Sequence, residues 1–306
     1  MEIRGWWPRT RRSSRRSADR RCVIAGRSLL WLVSLVALIG AYTLVARLLS
    51  RADVLPPTEE IAEAFGDLVG GGVQLGVGAE HAHHHHLSSE QMETLLQEGV
   101  TLQGALAITT GRVLFGLGVG LPLGILIGLL LGSSRRADDY LHPIYILARS
   151  VPPLALITYI MLWLGHSEAH RLIPIVYAVA VTMVIPTYHG ARDVAGKYVE
   201  AARALGARGP LLLLRVVLPA AGPAMLGGLR YSLAIAWMTA VGAEMLMAEN
   251  GMGNLLVGGG MWSSRLQTRS DPAVIIVGIL ALAAAGWAMD ACAKALGARL
   301  TRWARA

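Results

Sequence analysis

This chain has little charge. Only 16% of its 306 residues are Asp, Glu, Lys or Arg, against 54% hydrophobic residues and a mean hydropathy of +0.50. That balance excludes an ordinary soluble domain, which carries about a quarter charged residues. Cysteine is almost absent as well: there are two, Cys22 and Cys292. Both fall on the side read below as cytoplasmic, where a structural disulfide is not expected. The strict apolar/polar alternation of barrel strands is missing. A phosphate loop is missing too, because in "GARDVAGKYV" the required first glycine is Ala191 and the Ser/Thr after Lys197 is Tyr198. His142, His166, His170 and His189 fall at the ends of apolar runs or in loops, and no nucleophile, base and orienting group stand together. An enzyme, and an ATPase in particular, is therefore not expected.

What the chain has instead is a series of apolar runs, each near the roughly 20 residues needed to cross about 30 Å of hydrocarbon. Six are expected: Ser28–Leu49, Thr109–Leu131, Ile144–Leu164, Leu172–Tyr188, Leu226–Met247 and Ala273–Ala293. Without alternation they must be helices, because lipid satisfies no backbone group. Of the 28 basic residues, 20 lie before the first run, in the connections Ser133–His142 and Gly190–Val216, and after the last run, whereas nine acids fall between Asp53 and Glu98. Cations are retained in the cytoplasm, so both termini are expected there, in agreement with an even number of spans. The organisation is then a basic tail (1–27), a first span (28–49), an extracytoplasmic loop (50–108), a core (109–297) with a long cytoplasmic loop (190–216), and a short tail (298–306).

The N-terminal run is about 21 residues long and lacks a small-residue cleavage site, so it reads as a retained anchor rather than a secretory signal. The preceding "RGWWPRTRRSSRR" suits anionic lipid headgroups, with Trp6 and Trp7 at the interface, better than it suits nucleic acid. In the outer loop Thr58 can cap a helix after Pro56 and Pro57, with Ile61, Phe65 and Leu68 on one apolar face along the membrane surface. A glycine-rich stretch then leads into "EHAHHHH". Here His81, His83, His84, His85 and His86 could bind Zn, Cu or Ni, or be a low-complexity insertion with incidental metal affinity.

Within the spans, Gly116, Gly120, Gly124 and Gly128 recur every four residues and read as a close helix contact. Pro152 and Pro153 interrupt the third span and free carbonyls that lipid cannot satisfy, at a kink or beside a translocation path. Arg149, three residues earlier, fits either that break or the cytoplasmic interface. Glu244 is an acid in an apolar span, which makes it a candidate for gating or for bonding to a neighbouring helix. Arg230 and Asp290 read as interfacial.

The most specific signal lies in the 190–216 loop. Gly196 breaks the preceding chain, Lys197–Leu205 reads as about two turns of helix, and Gly206 ends it. So short a helix needs a partner to pack against. Its pattern runs Glu200-Ala201-Ala202, three residues, Gly206, nine residues, Val216, one residue, Leu218-Pro219. It resembles the "EAA" signature of permeases in binding-protein-dependent ABC importers of type I, with Val216 where the family usually has Ile. The resemblance extends over about 50–300. "LPPTEEIAEAF", "GRVLFGLGVGLPLGILIGLLLG", "SVPPLALITYIMLWLG" and "GAEMLMAENGMGNLL" are similar to the branch importing nitrate, alkanesulfonates, taurine and related small anions such as bicarbonate.

The resemblance implies an all-α, six-helix permease in a bacterial inner membrane, with a coupling helix carrying Glu200, Ala201, Ala202, Gly206, Leu218 and Pro219. It also implies a second copy of the chain, two cytoplasmic ATPase subunits that hold the ATP and Mg, and a periplasmic or lipid-anchored binding protein. No cofactor is expected on this chain. The histidine stretch leaves a metal or metal complex open as cargo, and Glu244 leaves open a gradient-driven transporter.

Overall fold

The computed structural model describes residues 33, 36–37, 40–44, 56–70, 101–165, 167–194, 196–247, 250–257 and 272–301. All that follows concerns these residues. The basic tail, most of the first expected span and the histidine stretch 81–86 lie outside them. Met1–Glu60 and Ile61–Ala306 are two compact units. In the first, the described residues between 33 and 44 are helical, and the Tyr42 hydroxyl donates to the Pro56 carbonyl at 2.9 Å.

The elements are α1 (Thr58–Gly70), α2 (Leu102–Ser133), α3 (Arg135–Ser150), α4 (Pro153–Leu164), α5 (Glu168–Arg192), α6 (Gly196–Ala204), α7 (Pro210–Leu212), a π-helical turn (Leu213–Val217), α8 (Leu218–Met247), α9 (Met252–Val257) and α10 (Pro272–Leu300). Among the described residues there is no strand. Four helical stretches are long and apolar enough to cross a membrane: Leu102–Ser133, Glu168–Arg192, Pro210–Leu246 and Pro272–Arg299. The third expected span is not one straight helix. It is the pair α3 and α4, which meet at 86°.

Capping explains several boundaries. Thr101 Oγ1 accepts from the Gly104 N–H at 3.1 Å, satisfying a free amide at the start of α2. Ser134 does the same for Ala137 at the start of α3, at 3.4 Å. Pro153 occupies the first turn of α4, where its missing N–H costs nothing.

Helix α5 runs between α2 and α8, and α2 and α5 are the most extensively packed pair. The glycine stripe is the reason they approach so closely. A Cβ at Gly120 would lie 2.7 Å from the Val176 carbonyl oxygen, one at Gly124 2.5 Å from that of Ala180, and one at Gly128 2.6 Å from Thr187 Cβ. Ile175 closes over Gly116 in the same way. Backbone therefore rests on backbone, as expected from the four-residue spacing. Val113, Ile175, Val179, Leu233, Ala236 and Trp237 fill the centre of the bundle. A second core forms where Ala64 and Leu68 of α1 meet Leu102, Met252, Leu255 and Val274. Phe65, expected on that apolar face, is instead exposed. The heptad-like offset from Ile61 through Ala64 to Leu68 carries the packing.

The candidate coupling helix and transport path

Helix α6 lies at the end of the bundle that carries Arg135, Arg192, Arg203 and Arg208. It ends where the sequence places its glycine. Gly206 has φ +86°, its N–H donates to the Arg203 carbonyl at 3.0 Å, and the Ala207 N–H reaches back to the Ala202 carbonyl at 2.9 Å. These two bonds make a Schellman motif, whose left-handed residue is best supplied by glycine. Glu200 and Ala201 are exposed and Ala202 is half-buried. Tyr198 is 57% and Leu205 90% exposed. The result is a small helix with a low alanine surface between two projecting apolar side chains. A cavity of about 740 Å³ opens behind it, lined by Arg135, Arg192, Val199 and Arg203.

The rest of the signature anchors this helix to the bundle. Val217 is buried against Leu129 and Ala191, with Leu218 packed beside it. Pro219 is exposed. It cannot donate to the carbonyl four residues back, and its ring would strike that carbonyl in a regular α-turn. The chain widens there: the Leu218 N–H donates to the Leu213 carbonyl, five residues away, in the π-turn.

At the break between α3 and α4, Pro152 and Pro153 leave the Ala148 and Arg149 carbonyls without their usual helical donors. The Ala148 carbonyl is taken up by the Val151 N–H at 3.1 Å and by the Tyr177 hydroxyl of α5. Asp138, at the other end of α3, holds Arg192 at 2.9 Å, accepts from the Tyr188 hydroxyl at 3.1 Å and lies 3.0 Å from His142 Nδ1. Helix α3 therefore climbs from the basic end of α5 to its middle. Arg149 sits, exposed, at that height. It lines a cavity of about 610 Å³ with Thr182, Pro186 and Tyr231.

Glu244 lies at the far end, fully buried and fully bonded. It accepts from Thr109 Oγ1 at 2.8 Å, from Arg112 Nη1 at 2.7 Å and from the Gly253 N–H at 3.0 Å. Arg112, only 6% exposed, also donates to Glu168 at 2.8 and 3.2 Å and to the carbonyl and side chain of Asn250 at 3.2 and 2.6 Å. Arg171 pairs with the same Glu168. The Met252 N–H donates to Thr109 Oγ1 at 2.9 Å. One polar cluster thus ties α2, α5, α8 and α9 together and caps the short α9. Gly251, at φ +105°, leaves room for the carboxylate: a Cβ there would lie 2.5 Å from Glu244 Cδ. Arg230 and Asp290 form a further ion pair, joined by Lys294 at 2.8 Å.

A family profile described as the binding-protein-dependent transport system inner membrane component matches residues 120–302. The chain belongs to that family. It is a multi-pass inner-membrane permease component of an ABC importer and not an enzyme. A probable ABC transporter permease protein of Brucella melitensis is 34% identical over 214 residues, covering 70% of this chain and 84% of that relative. A permease of Bacillus subtilis named for aliphatic sulfonates transport is 34% identical over 202 residues, covering 66% and 71%. The taurine transport system permease protein of Escherichia coli is 32% identical over 203 residues, again covering 66% and 71%. Among solved structures, the MetNI methionine ABC transporter in inward-facing conformations aligns with 20% identity over 68% of this chain and 99% of that one, at a TM-score of 0.48.

The permease signature was readable in the sequence, but Arg112, Glu168 and Asn250 were not. The usable signal for Arg112 was its place as a lone arginine in the second span, facing the lone acid Glu244 of the fifth, two opposite charges that lipid would force to meet; Glu168 and Asn250 carry no such signal. The histidines at 81–86 lie outside the described residues.

Proposed function

We propose that two copies of this permease form the path of an ABC importer for a small sulfonate, such as taurine or an alkanesulfonate, driven by two ATPase subunits and fed by a binding protein outside the membrane. The observation that carries the coupling is α6: nine residues long, exposed on its alanine face, and stopped by a glycine in the left-handed region. A helix this short gains little from its own hydrogen bonds, so its exposed face suits a docking partner. Its position among the basic residues of the bundle supports a cytoplasmic partner. The relatives named for aliphatic sulfonates and taurine support the cargo.

In this reading, ATP binding closes the ATPases on Glu200, Ala201 and Ala202 and draws the two α6 helices together. The π-turn, the buried Val217 and the half-buried Leu218 pass that movement to α8, which lines the 610 Å³ cavity through Ala224, Gly227, Gly228 and Tyr231; Gly206 fixes the angle at which α6 leaves the bundle. The site turns from inward- to outward-facing, and hydrolysis resets it. Pro152 and Pro153 hold the break beside the path. Glu244 fixes the outer closure.

The test is vanadate-sensitive uptake of taurine or ethanesulfonate by membranes containing the permease, its ATPase and its binding protein. Glu200→Lys is expected to abolish uptake while leaving the chain in the membrane. Normal uptake by that variant contradicts the role of α6. Uptake indifferent to ATP but abolished by an ionophore replaces the ATP-driven mechanism with a gradient-driven one.

A further inference from the structure

Resting on the anion-import reading above, we propose that Arg149 is the charge-selecting residue of the path, meeting the sulfonate group in passage together with the Tyr231 hydroxyl. Three observations converge on it. First, its depth: Ala148 is bonded to Tyr177 and Tyr145 donates to the Val181 carbonyl at 2.9 Å, and both partners lie in the middle third of α5. A guanidinium at this depth would be expensive against lipid and is retained where water or an anion meets it.

Second, its surroundings are one-signed. Arg149 lines the 610 Å³ cavity with Thr182 and Tyr231, and among the described residues no carboxylate lines that cavity and no ion pair to Arg149 forms. The other arginine at a comparable height on α8, Arg230, is paired with Asp290. Third, the wall is built to stay polar. Thr182 Oγ1 lies 2.8 Å from Ser232 Oγ, a fully buried hydroxyl, so α5 and α8 are joined through hydroxyls where the cavity opens. Tyr231 is 60% exposed and turned to the same space.

A sulfonate spreads one negative charge over three oxygens, which a planar guanidinium meets with two parallel N–H donors. The cavity is open and Arg149 is the one charged residue among its described lining, so the anion is met and released. Such a site filters cargo without retaining it.

The decisive experiment uses the full chain in membranes, with Cys22→Ser and Cys292→Ser and a probe thiol at Thr182→Cys. Its reaction with anionic sulfonatoethyl methanethiosulfonate is compared with that of the cationic trimethylammonioethyl reagent, each corrected for its rate with a free thiol. The anionic reagent is expected to react at least about tenfold faster, and Arg149→Gln to erase the preference, as loss of a charge-assisted contact predicts. Equal rates with Arg149 present, or no reaction with either reagent, overturn the proposal. Ala224→Cys on the facing wall repeats the test if the first variant does not insert.

In parallel, Arg149→Gln is expected to lower ethanesulfonate uptake by about ten- to a hundredfold, and Arg149→Lys to recover part of it. Full uptake by Arg149→Gln contradicts the role. If the unmodified importer moves neither ethanesulfonate nor taurine, the cargo reading fails, and the thiol preference decides the anion site on its own.

Discussion

The two ends of this bundle treat their carboxylates in opposite ways. At the far end Glu244 is withdrawn from solvent and holds Thr109, Arg112 and the amide of Gly253, joining three helices, and Arg112 extends the cluster to Glu168 on a fourth. At the basic end Glu200 stands exposed on a helix of nine residues. Burying a charge is affordable only when every bond is made, so the first arrangement fixes geometry. An exposed carboxylate contributes little to the fold, so the second is free to meet another molecule. The contrast separates what holds the permease together from what, in the proposed mechanism, it offers to its motor.

The largest effect should come from breaking the buried end. Glu244→Ala leaves Arg112 buried beside a cavity and should cost about 3–5 kcal/mol, read as thermal unfolding of the detergent-solubilised permease. Arg112→Met combined with Glu244→Met should recover part of that loss, because neither buried charge is then left without the other. Single variants as stable as the parent would mean that the cluster does not fix the helices.

A smaller effect sharpens the other end. Gly206→Ala meets no neighbouring atom within 4 Å, so only its backbone at φ +86° objects, at about 1–2 kcal/mol confined to α6. Uptake should fall while the unfolding temperature of the bundle barely moves. Gly206→Asn should restore part of the activity, since asparagine tolerates this conformation better than alanine. Equal activity in the alanine variant would show that the angle of α6 is not used.

The parts of the molecule written in local chemistry were legible in sequence. The glycine stripe follows from spacing alone, because four-residue periodicity places small residues on one helix face. The end of α6 follows from one glycine, because a Schellman cap is made within six residues. The parts decided by distant partners were not legible. Arg112 carries no local motif, and its role is set by residues 132 and 138 positions away. Pro152 and Pro153 announce a break but not its 86° angle. That angle goes with Asp138 meeting Arg192 and Tyr177 taking the freed carbonyl, and it places Arg149 beside the 610 Å³ cavity.

Cross-linking at Leu205 tests the central claim most directly. The residue is the most exposed large apolar side chain near α6. With Cys22 and Cys292 replaced by serine, Leu205→Cys in inverted membrane vesicles should form a bifunctional thiol adduct with the ATPase subunit, in a yield that changes when ATP is added. Labelling of that cysteine by an impermeant reagent from the outer face of intact cells, with no ATPase adduct, would contradict the account.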